Sequence, residues 1–191
     1  MRLNFDPVRE ERSTLSELAA NLSWQDLKDL TIEMVELQKD LISSCSDADV
    51  VFVPNDPLAD DPFAERVEDV NLPWTLGHVI VHVTASSEEA AAISSELARG
   101  VSYHGRSRYE TPWQSITTIK QCNHRLNESL KMRLASLEMW PEEPHLENAY
   151  KSRPGAPAMN ATTRFIYGLM HDDDHLGQIS QIIQQAQQAS R

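Results

Sequence analysis

The side chains with the clearest capacity for chemistry are histidines that recur at helical spacing. Four of the seven histidines form two pairs separated by four residues, His78 with His82 and His171 with His175. In a helix, side chains four residues apart lie one turn apart on the same face. Two imidazoles placed in this way can each give one ring nitrogen to a single metal ion. Each pair is therefore a candidate metal-binding site.

The second pair lies among apolar residues. His171 and His175 lie beside the apolar line of Leu169 and Leu176, so the pattern predicts that both rings point at or near the interior of the fold. A polar ring without a partner is costly there, and a metal ion would satisfy it. A satisfied core histidine is the alternative interpretation.

An acidic run, residues 172–174, separates these two histidines. Two interpretations stay open: the run is a solvated acidic face, or one carboxylate, Asp172 or Asp174, orients a ligand histidine from behind. The residues also disfavour known motifs. A zinc peptidase of the HExxH type needs Glu where Asp172 stands. None of the four paired histidines has Glu three residues before it, as ferritin-like di-iron bundles require. An HD phosphohydrolase needs a later Asp, and none follows Asp174.

Composition restricts the classes of ligand. The 191 residues carry 29 acidic and 17 basic side chains, a formal net charge of −12. Without a basic excess, binding to nucleic acid or to an anionic membrane surface is not expected. The N-terminus has no apolar signal-peptide core, and the longest stretch without charged residues, 70–87, would span a bilayer poorly because it holds two histidines and a proline. Two cysteines without CxxC spacing fit a cytoplasmic location.

Four long segments repeat apolar residues at intervals of three and four, the pattern of amphipathic helices. We expect one domain over residues 1–191, with a lead-in over 1–22 that holds a short helix in 13–21. Two long connections, 46–73 and 140–159, join the helices. Four amphipathic helices bury their apolar stripes by packing together, which predicts an all-α four-helix bundle. The long helices are predicted over about Ser23–Ser43, Thr75–Arg99, Pro112–Met139 and Asn160–Ala189.

The connection over residues 100–111 is long enough to run the length of a helix, so the second and third long helices could be parallel. It holds the one locally basic stretch of the chain, in which Arg106 and Arg108 are candidates to receive an anionic group of a substrate. An ordinary surface loop is the alternative. The one strand-like run, 50–53, is too short to indicate a sheet.

Two segments resemble motifs of the DinB/YfiT-like family. Residues 74–82, WTLGHVIVH, place a Trp eight residues before a His, as at the start of the family's second helix. Residues 171–179, HDDDHLGQI, are similar to its last-helix pattern His-x3-His-x2-Gln-Ile. The resemblance implies an up-down-down-up bundle, often a homodimer, which light scattering would test. It also implies one divalent metal ion, zinc or nickel, held by His82, His171 and His175.

The resemblance also indicates two classes of function. Some members of the family are thiol S-transferases or thiol-linked isomerases. We therefore expect a metal-dependent transferase or hydrolase acting on a small molecule, with a small thiol as cosubstrate. The alternative is a non-catalytic bundle whose metal stabilises a structural or interaction protein. An open coordination position facing a pocket would favour the enzyme, and a fourth protein ligand would favour the structural role.

The remaining candidates are His78 and Gln178. We expect His82 rather than His78 to bind the metal because His82 follows Trp74 by eight residues and lies deeper in its helix. His78 lies in the first turn, where a positive ring would oppose the helix dipole. It is either a rim residue or a proton shuttle to a metal-bound water or thiol. Gln178, in the last-helix motif, is a candidate contact behind a ligand histidine.

Overall fold

The fold is built from α-helices. The computed structural model describes residues 3–61, 66–106 and 108–190, and the statements below concern this part of the chain. The all-α prediction is confirmed, since the only other regular features described are two 3-10 turns, Val67–Asp69 and Trp113–Ser115, and one isolated bridge between Tyr150 and Met159. The helices are α1 (Asp6–Arg9), α2 (Leu15–Ala19), α3 (Trp24–Leu41), α4 (Asp47–Val50), α5 (Leu76–Ala98), α6 (Ile119–Glu138) and α7 (Ala161–Ala189).

Side-chain caps define the starts of the long helices. The Ser23 hydroxyl accepts a hydrogen bond from the Asp26 amide, and the Asp26 carboxylate accepts one from the Ser23 amide, at 3.2 and 2.8 Å. The side chains of Thr75 and Asn160 each accept a hydrogen bond from the amide three residues further on. These caps satisfy amides that a helix start leaves without partners. The starts of α3, α5 and α7 therefore agree with the sequence prediction.

The predicted start of the third long helix at Pro112 is wrong. The chain forms the 3-10 turn Trp113–Ser115, and α6 begins only after Thr118. The Thr118 side chain accepts a hydrogen bond from the Gln121 amide, and the Gln121 side chain accepts one from the Thr118 amide. This reciprocal box satisfies two amides at the helix start, whereas a proline at the first position satisfies none. Residues 112–118 therefore pack as a connection instead of extending α6.

The strand-like run 50–53 contributes no strand. Its first residue ends the short helix α4, which the Ser46 amide and hydroxyl stabilise by donating to the Asp49 carboxylate at 2.7 and 2.8 Å. The Asp47 carboxylate accepts the Ile119 amide at 2.9 Å. The beginning of the long connection 46–73 is therefore fixed to the beginning of α6.

Contacts between helix ends give the relative directions of the long helices. The Trp24 indole at the start of α3 donates to the Leu137 carbonyl at the end of α6, at 2.8 Å. The Ser94 hydroxyl near the end of α5 donates to the Ala161 carbonyl at the start of α7, at 2.6 Å. Gln187, near the end of α7, contacts the segment that follows α3. Thus α3 is antiparallel to α6 and parallel to α7, and α5 is antiparallel to α7, directions compatible with an up-down-down-up order.

The central helix of the bundle is α5. It packs against α6 and most extensively against α7, so nearly all of its residues are buried, polar ones included. None of the helices in the described residues combines the length and the apolar character that a membrane span requires.

A glycine sets the distance between α5 and α7. A β-carbon added to Gly168 would lie 2.7 Å from the Ala90 β-carbon and 3.3 Å from the Ser87 backbone. The Ser87 hydroxyl donates to the Gly168 carbonyl at 3.1 Å. Neither neighbour is the end of a flexible side chain, so any side chain at position 168 would move the helices apart.

We expect Gly168→Ala to lower the free energy of unfolding by about 1–3 kcal/mol, the usual cost of overpacking a core. Gly177→Ala, on the same helix, is the matched control because nothing lies within 4 Å of its added β-carbon. There the better helix propensity of alanine would stabilise the protein by up to about 1 kcal/mol. Urea unfolding measures both changes. A Gly168→Ala protein as stable as the Gly177→Ala protein would contradict the close-contact argument.

Candidate metal centre

Three histidines meet where α5 contacts α7. His82 comes from α5, and His171 and His175 come from successive turns of α7. One possible ligand atom of each residue lies within 4.8 Å of those of the other two. The ring centroids are 4.7 to 5.1 Å apart. Within the described ranges, no other group of three or more His, Cys, Asp or Glu side chains is arranged to hold a metal ion. We call these residues the histidine cluster.

The spacing within the histidine cluster suits a tetrahedral ion. Nε2 of His82 and Nε2 of His171 are 3.2 Å apart. Two nitrogens that bind one tetrahedral zinc ion at the usual bond length are about 3.3 Å apart. Imidazole nitrogens suit zinc and nickel among the common divalent metals. The cluster is therefore compatible with binding one divalent transition-metal ion.

The protonation state of the cluster also suits a metal. Burial, followed by the proximity of His171 and His175, lowers the pKa of His82 to about 2. Burial and the proximity of His175 lower the pKa of His171 to about 3. Both rings are therefore neutral at pH 7, and neutral imidazole is the form that binds metal.

Hydrogen bonds orient the rings unequally. Nδ1 of His175 lies 2.7 Å from Oε1 of Gln178, which only accepts, so Nδ1 carries the hydrogen and Nε2 is left free to bind a ligand. This contact places Gln178 behind a cluster histidine, and its role behind a metal ligand stays a prediction. Nδ1 of His171 is buried without a hydrogen-bond partner, while Nε2 is 3.5 Å from the Ser86 hydroxyl. The protein alone leaves this ring incompletely satisfied.

Tryptophan rings cover one side of the cluster. The Trp74 ring is 4.5 Å from that of His82 and 6.0 Å from that of His175. His78 lies outside the cluster, stacked between Trp74 at 4.5 Å and Trp113 at 5.0 Å. It is half-buried, and burial lowers its pKa to about 4, so this ring is also neutral at pH 7. Of the first histidine pair, only His82 faces the pair on α7.

Arg108 lies directly at the histidine cluster. Its guanidinium donates to the His82 carbonyl at 3.2 Å, to the Ser86 hydroxyl and to the Glu110 carboxylate. One of its Nη atoms is 3.3 Å from Nδ1 of His82, and Oε2 of Glu110 is 3.7 Å from the same nitrogen. The basic connection predicted from the sequence therefore folds over the cluster.

Arg106 pairs with a different part of α5. Its guanidinium donates hydrogen bonds to Glu89 at 3.0, 3.2 and 2.6 Å, two helical turns beyond His82. The Glu89 side chain is 2 % exposed, whereas that of Arg106 is 59 % exposed. Arg106 thus neutralises a buried carboxylate, and a substrate-binding role for it stays a prediction.

Of the two interpretations of the acidic run, the one in which Asp172 or Asp174 orients a histidine is not supported by the partners of these carboxylates. In the part of the chain that the structure describes, the Asp172 carboxylate bonds Ser87 at 2.7 Å and Arg133 at 2.9 Å, and Asp174 pairs with Arg9 at 2.6 Å. Successive side chains of a helix are rotated by about 100° around its axis. The carboxylates of Asp172 and Asp174 therefore point in other directions than the rings of His171 and His175. Asp172 instead joins α7 to α5 and α6, and Asp174 holds the N-terminal segment.

A cavity of about 230 Å³ opens beside the cluster. His175, Gln178 and Trp74 form its inner side. The long connection 46–73 supplies the remaining wall, so this loop borders the candidate site. A larger cavity of about 330 Å³ lies between the N-terminal segment and α3 and contains none of the candidate residues. The loop residues that line the smaller cavity are Asp56, Leu58, Ala59, Asp60 and Leu72.

Several residues around the centre escaped the sequence analysis. Ser86 follows His82 by four residues, so the helical spacing alone could have predicted that Ser86 lies on the same helix face as His82. Glu110 and Trp113 carried no such signal because they lie in a connection whose path depends on tertiary contacts. Arg133 is paired across helices, and its sequence distance from Asp172 gave no indication of the contact.

The fold and the site together define a helical bundle with a three-histidine cluster between two of its helices. The profile of the DinB superfamily matches residues 8–179, which include both motif segments and all three cluster histidines. The chain belongs to the DinB superfamily. No curated protein and no solved structure gave a significant match. Family and geometry agree on a protein compatible with metal binding, and the reaction has to be inferred from the site.

The Asp172–Arg133 pair provides a stability test, because its side chains are only 1 % and 3 % exposed. Asp172→Asn leaves the Arg133 charge buried without its partner, which typically costs about 3–5 kcal/mol. Asp174→Asn is the control, because Asp174 is 44 % exposed and surface pairs contribute about 0–1 kcal/mol. Urea unfolding distinguishes the two. Equal destabilisation by both variants would contradict the assigned role of Asp172.

Proposed function

We propose that the protein is a divalent-metal-dependent enzyme, a transferase or hydrolase acting on a small molecule, with its metal ion held by His82, His171 and His175. The observation that carries this proposal is the cluster of three histidines, with possible ligand atoms within 4.8 Å of one another, beside a cavity of about 230 Å³. Zinc and nickel are the proposed metals because both bind imidazole nitrogen well.

The number of ligands favours catalysis over a purely structural role. Among residues 3–61, 66–106 and 108–190, no fourth His, Cys, Asp or Glu joins the cluster. Structural zinc sites usually have four protein ligands, whereas catalytic sites keep one position for water or substrate. The cavity reaches His175 and is the route by which a small molecule would approach the centre.

The surrounding residues would prepare the centre for chemistry. A divalent ion on three histidines acts as a Lewis acid and lowers the pKa of a bound water or thiol. Gln178 fixes the His175 ring through Nδ1. The Glu110 carboxylate, 3.7 Å from Nδ1 of His82, is too far away to accept a hydrogen bond, but its negative charge would stabilise a cation bound at this centre. Trp74 covers two of the rings and keeps water from that side.

His78 is proposed as a proton shuttle. Its ring stacks on Trp74, which in turn contacts His82, so it lies one ring away from the cluster. A pKa of about 4 leaves the imidazole neutral at pH 7 and makes it a weak base there, so as a shuttle it would hold a transferred proton only briefly.

Any thiol in the proposed reaction has to come from a small cosubstrate. Cys45 and Cys122 are buried and do not form a disulfide. Burial raises the pKa of Cys122 to about 12 and also raises that of Cys45. The thiolate is the nucleophile and the metal ligand, and it is scarce at neutral pH when the pKa is this high.

We expect both cysteines of the native protein to resist modification by a disulfide reagent at pH 8. Because the raised pKa reduces the thiolate population, Cys122 should react at least about a thousandfold more slowly than a free thiol. Absorbance of the released thiolate measures the rate, and unfolding in guanidinium should make both residues reactive. Rapid modification of one residue per native chain would contradict this and would restore a protein thiol as a candidate nucleophile.

The metal assignment predicts a specific pattern of variants. Untagged wild-type protein should bind one zinc or nickel ion per chain. His82→Ala, His171→Ala and His175→Ala each remove one of three ligands and should weaken binding by more than about a hundredfold, beyond the effect of losing an outer contact. His78→Ala should retain the ion. Competition with a coloured chelator measures the affinities.

His124→Ala, an exposed histidine of α6, is the matched control for non-specific loss of binding. Metal content that survives His82→Ala and disappears in His78→Ala would reverse the assignment. Cobalt substitution then separates the two classes of function. A small thiol should change the visible spectrum of the cobalt protein if one coordination position is open. An unchanged spectrum would favour the alternative, a metal-stabilised bundle without catalysis.

A further inference from the structure

One buried guanidinium of the bundle makes no hydrogen bond. Arg164 in α7 is 7 % exposed, and its Nε is buried without a partner. It forms an ion pair with Glu89 at 3.8 Å, which is too long for a hydrogen bond. It also lies over the Tyr167 ring, 5.2 Å from its centroid. Among the described residues, this side chain therefore makes no hydrogen bond, and its Nε is also shielded from water.

The fold satisfies the other charged groups near Arg164. Arg133 donates to Asp172 at 2.9 Å. Glu89 accepts hydrogen bonds from Arg106 at 3.0 and 2.6 Å, so this carboxylate is satisfied without Arg164. A buried guanidinium without acceptors costs stability. Arg164 thus differs from Arg133 and Glu89 because it has no hydrogen-bond partner, and a ligand could supply the acceptors.

Arg164 lies on the same side of α7 as the histidine cluster. Residues seven apart share a helix face, which puts Arg164 two turns, about 10 Å, before His171. Its charge contributes to the lowered pKa of His171. On the facing helix, Glu89 lies two turns beyond His82. The Arg164–Glu89 pair and the cluster are therefore adjacent sections of one α5–α7 interface.

The connection between α5 and α6 adds two guanidiniums to this interface. Arg106 bonds Glu89, and Arg108 bonds Glu110 beside the cluster. With Arg164, three guanidiniums face two carboxylates, which leaves one positive charge. This local excess is opposite in sign to the net charge of −12 of the whole chain.

We propose that Arg164 binds the carboxylate of a small monoanionic substrate, with Arg108 and Arg106 completing an anion subsite next to the histidine cluster. This inference rests on the proposed function in that it names the substrate class of the same centre. A carboxylate is planar and can accept two parallel hydrogen bonds from one guanidinium. Its single charge balances the local excess, and it would supply the acceptors that Arg164 lacks.

The test uses the full chain freed of metal by a chelator. Acetate, pyruvate and inorganic phosphate are the probes, and sodium chloride at equal ionic strength is the reference. A ligand that binds only the folded state raises the unfolding temperature. We expect the two carboxylates to raise it above the chloride value at millimolar concentrations. Calorimetric titration gives the affinities.

The carboxylate affinities of Arg164 variants test whether this side chain binds the anion. Arg164→Met keeps the apolar stem and removes the donors, so carboxylate affinity should fall at least tenfold. Arg164→Lys keeps the charge without the planar fork and should lose less. Arg153→Gln, in an exposed loop, is the matched control and should bind like the wild type. In chloride alone, Arg164→Met should unfold at the same temperature as the wild type or higher, because it removes a buried N–H donor that has no acceptor.

Three results would overturn the proposal. The first is a wild-type protein that no carboxylate stabilises. The second is an Arg164→Met protein that unfolds earlier in chloride and keeps the carboxylate response, because Arg164 would then serve packing alone. The third is tighter binding of phosphate than of either carboxylate, which would overturn the assignment to a monoanion.

The outcome is independent of the metal assignment because the anion measurements use metal-free protein. Zinc binding by Arg164→Met is measured separately and should equal that of the wild type. Histidine variants that fail to lose metal would contradict the proposed function and leave the anion subsite standing.

Discussion

The close antiparallel contact between α5 and α7 is the constraint on which the candidate site depends. Gly168 lets the helices approach, and the Ser87 hydroxyl joins them by donating to the Gly168 carbonyl at 3.1 Å. His82 and His171 lie next to this point on facing helices, which explains why their Nε2 atoms are 3.2 Å apart. Two packed helices, α5 and α7, position the histidine cluster, and no loop is needed to assemble it. The geometry of the cluster is therefore established before a ligand binds.

The site is preorganised and at the same time incomplete. Nδ1 of His171 and Nε of Arg164 are buried without partners on one helix, while the Asp172–Arg133 pair beside them is satisfied. Proteins rarely leave buried polar groups unpaired, and the exceptions concentrate where function requires them. The unpartnered Nε of Arg164 marks the proposed anion position, whereas a metal ion bound at Nε2 of His171 would leave Nδ1 of that ring without a partner. Both groups lie where α7 faces α5.

The sequence was informative wherever local geometry decides the outcome. Helical spacing identified the histidine pairs, and capping residues such as Ser23 and Thr75 located helix starts, because both follow from chemistry within a single turn. Prediction failed where distant residues decide. One of the two interpretations of the acidic run placed Asp172 behind a histidine, but its partner Arg133 comes from another helix. The isolation of Arg164 is likewise a property of packing, since only the folded chain shows which acceptors are missing.

The burial of arginine side chains also affects the electrostatic potential outside the protein. Arg133 and Arg164 are only 2 % and 7 % exposed, so part of the positive charge lies within the bundle, while acids of the 46–73 connection such as Asp60 and Glu68 are exposed to solvent. The negative potential at the surface concentrates divalent cations and repels anions over roughly the Debye length, about 8–10 Å at physiological salt. Rising ionic strength therefore slows the capture of metal ions from solution and speeds the approach of anionic molecules.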